Sequence, residues 1–178
     1  LISLKYYSSS KDKGMNIIKK GGYSNMKLLF SSSFHDKKGS LPWPTKGVLG
    51  QRFGLISGPL SEHIKIQSHG IEIVGSKKRN VTAVADGKIK SLSYVKGLGS
   101  VAIVAHGDNY YTVYGNISTK TLTKGQILRA GENFTNTSSQ KIYFEVRHFS
   151  EPENPEDWLK EKTQENFASL ESSQEREL

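Results

Sequence analysis

The sequence predicts an all-β domain, an antiparallel β-sandwich or barrel with a helix at its C-terminal end. Three observations predict it. Between Leu41 and Arg147, short β-branched and aromatic runs alternate with glycine-bearing turns at close spacing, the pattern of sandwiches and barrels. Helix-start signals gather only after Asn154. The chain has 178 residues, 35% hydrophobic and 24% charged, which suffices for one core with extensions on either side.

Three segments follow in order. Residues 1–40 are rich in Ser, Gly and Lys, with eight lysines against two acids, and read as a basic, partly ordered arm. Residues 41–159 form the domain. Leu41-Pro42-Trp43-Pro44 fixes an extended, rigid start, because proline locks its own φ and restricts the residue before it. Trp43 reads as packing rather than as a ligand platform. Ile71–Val74 and Val81–Val84 are short β runs, and Gly87–Val95 alternates imperfectly. Val101–Ala105 is an unbroken apolar run and so a central strand, followed by a turn at His106–Asn109 and the returning strand Tyr110–Tyr114. Ile127-Leu128 is a further short strand. From Lys141 the text alternates strictly: Ile142, Phe144 and Val146 on one face, Lys141, Tyr143, Glu145 and Arg147 on the other. Asn154-Pro155-Glu156-Asp157 combines a capping residue, a first-turn proline and two acids at the positive end of a helix dipole. Residues 160–178, with three basic residues and five acids, read as an acidic helical tail.

Composition excludes several classes. There is no cysteine, hence no disulfide and no thiolate metal site. No run of eighteen apolar residues marks a transmembrane helix. The chain begins at leucine, and Leu1–Tyr7 is too short for a signal-peptide core, as expected for a piece of a longer protein. The net charge of +8 suits an anionic partner such as a cell-wall polymer or a membrane surface. Nucleic acid is not an expected partner, because the aromatics do not interleave with a basic stripe.

Several segments, in order, resemble the LytM/lysostaphin-type zinc peptidase domain, also described as a duplicated hybrid motif. They are Leu41-Pro42-Trp43-Pro44, Gly50-Gln51-Arg52-Phe53-Gly54, Gly70-Ile71-Glu72-Ile73, Val84-Ala85-Asp86-Gly87 and Gly97-Leu98-Gly99-Ser100-Val101. His106-Gly107, Tyr111-Thr112-Val113-Tyr114, Lys124-Gly125-Gln126, Phe144-Glu145-Val146-Arg147, Asn154-Pro155 and Trp158-Leu159 complete the series. Each is weak alone; their number, order and spacing are specific, and together they cover residues 41–159.

The resemblance implies a site and also its loss. Active members cleave peptide cross-links of bacterial cell wall with one zinc held by two His and one Asp, helped by two further His. The corresponding positions here are Ser68, Glu72, Asn116, Lys141 and Tyr143. Four imidazoles are missing and the carboxylate is one methylene longer. Zinc takes about four N, S or O ligands near 2 Å, and a lysine in the same cup sets a positive charge against the ion. His69 reaches a ligand position only by a slip of one residue, which turns its neighbours to the other face. His106 reads as part of a turn, and His35, His63 and His148 lie outside the motif. No metal, no other cofactor and no catalytic residue is therefore expected.

The same positions, with Arg147, are the expected binding groove. In one reading they are merely tolerated, with Lys141 paired to Glu72. In the other they recognise a ligand, Lys141 and Arg147 pairing with a carboxylate and Tyr143 offering an aromatic face, with Glu145 set to neutralise them.

Degenerate domains of this kind resemble EnvC-like murein hydrolase activators. That implies a non-catalytic domain, periplasmic or otherwise extracytoplasmic in a bacterium, whose partner is an N-acetylmuramoyl-alanine amidase during peptidoglycan remodelling or cell division. It also implies recruitment to a membrane division complex through an upstream coiled coil, for which residues 1–40 show no heptads. The alternative is a module that binds peptidoglycan directly. Either chain end, the basic arm or the acidic tail, is a candidate cover for the groove.

Overall fold

The computed structural model describes residues 33–58 and 61–161. They form twelve strands and two single 3₁₀ turns. The frame is one antiparallel sheet in the order β1 (Val48–Gln51), β4 (Ile71–Val74), β11 (Lys141–His148), β8 (Tyr110–Gly115), β7 (Gly99–Gly107), β6 (Gly87–Val95), β9 (Ile127–Leu128), with β12 (Glu151–Glu153) also paired to β11. Two ribbons stand apart: β5 (Arg79–Thr82) with β10 (Asn133–Thr137), and β2 (Gly54–Gly58) with β3 (Ser61–Ser68). The all-β antiparallel expectation holds, as one large sheet accompanied by two small ribbons. Among the described residues no helix is long and apolar enough to cross a membrane.

The apolar Val101–Val104 run lies inside the sheet and is buried throughout, because Ala102 and Val104 face the main core while Val101 and Ile103 face a second apolar cluster. The turn that follows is Asp108-Asn109, with φ of 48° and 61°, a conformation these two residue types tolerate and a two-residue hairpin demands. His106 and Gly107 therefore belong to β7, not to the turn expected there. The His106 ring is 3% exposed and bonds Asp86 O through Nδ1 and Thr112 Oγ1 through Nε2, both at 2.7 Å. Burial lowers its pKa to about 4, so the ring is a neutral core group.

The main core lies on the face bearing Ile73, Ile89, Val104, Tyr114, Ile142 and Phe144, and Val81 and Phe134 of the β5–β10 ribbon cover it. The two ends of the described chain close it jointly. Leu41 N donates to Trp158 O, and Lys160 N donates to Leu41 O, in a parallel bridge between Leu41 and Leu159. Phe34, assigned by sequence to the arm, is 2% exposed and stacks on His106 and Trp158 at 4.5 and 4.9 Å between centroids. Trp43 packs against this core, as expected, and donates through Nε1 to Lys160 O.

The helix expected from Asn154 is a single 3₁₀ turn, Pro155–Asp157. Its signals act as read: Asn154 accepts from Glu156 N, and proline opens the turn. Propagation stops because Trp158 and Leu159 are drawn into the core at once. The helical reading of residues 162–178 and the arm reading of residues 1–32 lie outside the described residues.

Candidate functional site

The predicted site positions sit where β3, β4, β8 and β11 approach one another. Tyr143 lies opposite Glu72 of β4 on one side and Gly115 of β8 on the other. Lys141 is two residues earlier on the same face, and its Nζ reaches Glu72 Oε2 at 2.9 Å. Ser68 ends β3 and Asn116 follows β8, at φ 59°. Close approach is built in by Gly70, where a Cβ would stand 2.4 Å from Phe144 O and 2.8 Å from the Tyr143 ring.

These residues do not share one open surface. Glu72 and Lys141 line a cleft of about 410 Å³ together with Gly50, Gln51, Arg52, Ile56, Ser57 and Val74. Ser68 is buried, accepts from Gln51 Nε2 at 3.0 Å and donates to Gly70 O at 2.8 Å, so it props the cleft wall. Asn116 packs beside Gly99, where a Cβ would come within 2.6 Å of its Oδ1. Tyr143 does not offer its ring: it is 8% exposed in a second apolar cluster with Val101, Ile103 and Val113.

Arg147 is also occupied. It donates through Nε and Nη2 to Ser150 O at 3.1 and 2.7 Å, while its Nη1 lies 2.9 Å from Glu145 Oε1. That last contact is Coulombic, not an aligned hydrogen bond, and both atoms lack an aligned partner. Glu145 is 1% exposed; burial raises its pKa to about 7, against the lowering effect of Arg147 and of a hydrogen bond with Tyr143. Burial, then the neighbouring Glu145, pushes the Tyr143 phenol well above its usual range. Arg147 is thus held by Ser150 and Glu145 and is not among the residues that line the cleft around Glu72 and Lys141.

Gln51 and Arg52 were absent from the expected site, although they stand inside the Gly50–Gly54 motif. Gln51 is held by Ser68, and Arg52 pairs with Glu156 of the C-terminal 3₁₀ turn. The cleft therefore presents an amide, a hydroxyl, a carboxylate and two cations, all suited to hydrogen bonding with a polar or acidic segment.

The donor set does not fit zinc. The five positions supply a hydroxyl, a carboxylate tied to an ammonium, an amide, that ammonium and a buried phenol; zinc sites are built from imidazole, thiolate and free carboxylate. Among the described residues no three of His, Cys, Asp or Glu gather as a metal group. No histidine among the described residues lines the cleft.

Residues 67–155, half of the chain, match Peptidase family M23. Among curated relatives, murein hydrolase activator NlpD of Escherichia coli strain K12 is 30% identical over 126 residues, covering 67% of this chain and 31% of that protein. Murein hydrolase activator EnvC of the same strain is 29% identical over 129 residues, covering 68% and 29%. The chain thus spans less than a third of the length of these bacterial relatives. Among solved structures, Csd3 of Helicobacter pylori superposes with a TM-score of 0.58 at 20% identity, over 77% of this chain and 41% of that one, which shows a shared fold.

Proposed function

The chain belongs to peptidase family M23, and from what stands at that family's metal positions we propose that it is a non-catalytic member that binds and activates a bacterial cell-wall amidase. The observation that carries this reading is the Lys141–Glu72 ion pair at 2.9 Å. An ammonium at one of the family's five site positions neutralises the only carboxylate among them, so the cleft keeps its place in the fold and exchanges metal binding for polar recognition. The two activators named above support the same reading. The partner is an N-acetylmuramoyl-alanine amidase, and the compartment is periplasmic or otherwise extracytoplasmic.

The mechanism asks little of this domain chemically. Lys141, Glu72, Gln51 and Arg52 supply donors and acceptors for an acidic or amide-rich surface of the amidase. Binding there shifts the amidase toward its active conformation by the difference in affinity between its two states.

The test is hydrolysis of purified peptidoglycan by the same organism's amidase, with and without this protein. Stimulation of the amidase, with no release of peptide fragments by this protein alone, is expected. Peptide cross-link cleavage by the protein alone, together with stoichiometric zinc by metal analysis, would overturn the reading. So would an amidase that neither binds nor responds.

A further inference from the structure

Sheet order places β6 four strands from β4, about 19 Å from the cleft at about 4.8 Å per strand. That edge has its own architecture. Lys88 and Lys90 project from β6, and Lys124 comes from the loop before β9. All three line one shallow depression of about 490 Å³ whose floor is Ile89, Ala105 and Gly125.

The loop is fixed to the strand: Gly125 N donates to Ile89 O at 2.8 Å, and Ile89 N donates to Gln126 O at 2.9 Å. Lys90 is also held, its Nζ 3.2 Å from the Tyr111 hydroxyl and 4.4 Å from the centre of that ring. Three ammonium groups are thus gathered, and among the described residues none of them forms an ion pair. Like charges repel, so such a gathering without a counter-charge fits an anionic partner.

The wider charge distribution agrees. Residues 87–131, from β6 to the turn after β9, carry six basic side chains and one acidic one, whereas residues 141–161 carry three basic and six acidic ones. The basic stretch supplies the depression; the acidic one contains β11, β12 and the C-terminal turn.

Two features favour a lipid surface over a compact soluble anion. No arginine lines the depression, so it lacks the planar fork that grips one phosphate bidentately; lysines act as mobile point charges. Ile127, opposite Lys88 in the ladder, is 37% exposed, which puts a bare apolar side chain beside the ammonium groups.

We propose that the β6–β9 edge docks on an anionic phospholipid surface, with Lys88, Lys90 and Lys124 taking lipid phosphates and Ile127 entering the headgroup layer. The cleft around Glu72 and Lys141 stays free for its partner. This inference stands independently of the amidase reading, since it concerns another edge and is read without an amidase.

Co-sedimentation of the whole chain with phosphatidylcholine vesicles, with and without phosphatidylglycerol, tests it. Binding is expected only with phosphatidylglycerol. The triple variant Lys88→Gln/Lys90→Gln/Lys124→Gln should bind on the order of a hundredfold more weakly, about fivefold per lysine. The charge-matched control Lys46→Gln/Lys77→Gln/Lys78→Gln, changed at exposed positions elsewhere, should lose less than about threefold. Thermal melts of both variants check that they fold. Equal binding to the two vesicle types, or equal losses in the two triple variants, would overturn the proposal. So would failure to bind vesicles by a protein that binds inorganic phosphate at these three lysines, since that describes a site for a soluble anion.

Discussion

The two faces of β11 were equally regular in sequence and differ in what holds them. Ile142, Phe144 and Val146 are each fully buried in the main core. On the opposite face, Lys141 is open to solvent, yet Tyr143 and Glu145 are 8% and 1% exposed and Arg147 is tied to Glu145 and Ser150. One face is stabilised by area removed from water, which is large and insensitive to pH. The other is a buried polar network whose members have value only as a set. A strand that alternates apolar and polar need not therefore have a dry face and a wet one.

The largest expected effect lies on the apolar face. Phe144→Ala should cost about 3–5 kcal/mol by urea denaturation, the usual range for truncating a buried aromatic ring. A loss below about 1 kcal/mol would mean that the core collapses around the gap and that the two faces differ less than their burial indicates.

The second effect belongs to the polar face and depends on pH. The Glu145 carboxyl has its pKa raised from 4.5 to about 7, so the folded state holds this proton more tightly than the unfolded chain does. At this site the folded protein binds more protons between these values, and this share of the stability falls as pH rises through that window. His106, held neutral by burial, works the other way below about pH 6.5, because the unfolded chain takes up that proton. The Glu145 share is therefore read as the difference between wild type and Glu145→Gln, whose amide mimics the protonated acid: the variant's Tm should gain on the wild type's from about pH 5 to about pH 8. A difference that shrinks over the same interval would mean that Arg147 dominates and that the ionised pair is the favoured state.

What sequence could and could not show follows the same division. Ile71–Val74, Gly87–Val95 and Ile127-Leu128 have the boundaries their patterns gave, because hydrophobic period and turn residues are local. The β2–β3 ribbon went unread: Leu55 and Ile66 are exposed, so no burial pattern marks it. The turn at Asn154 was found by its cap, but the length of a helix depends on what its next residues pack against, and Trp158 and Leu159 pack into the core. At the site, substitution of the metal ligands was legible as text. Which substitutes reach the cleft was not, because Tyr143 and Glu72 are opposite in the ladder and only the surrounding cluster decides that one is covered and the other open.

The smallest effect on stability is expected at Lys141, where the comparison becomes functional. Its ammonium is exposed and its bond to Glu72 is a partly solvated ion pair, worth about 0–1 kcal/mol. Lys141→Gln should therefore leave the urea midpoint almost unchanged. The reversal Lys141→Glu sets two carboxylates against each other, and it should lower affinity for the amidase on the order of tenfold or more if the cleft is the docking surface. Isothermal titration against the amidase, alongside the unfolding curve, separates the two roles. An unchanged affinity with an unchanged fold would move the partner away from this cleft. A large loss of stability in Lys141→Gln would instead make the residue a structural member of the same polar network as Glu145 and Arg147, and the contrast along β11 would then begin after Lys141 and not at it.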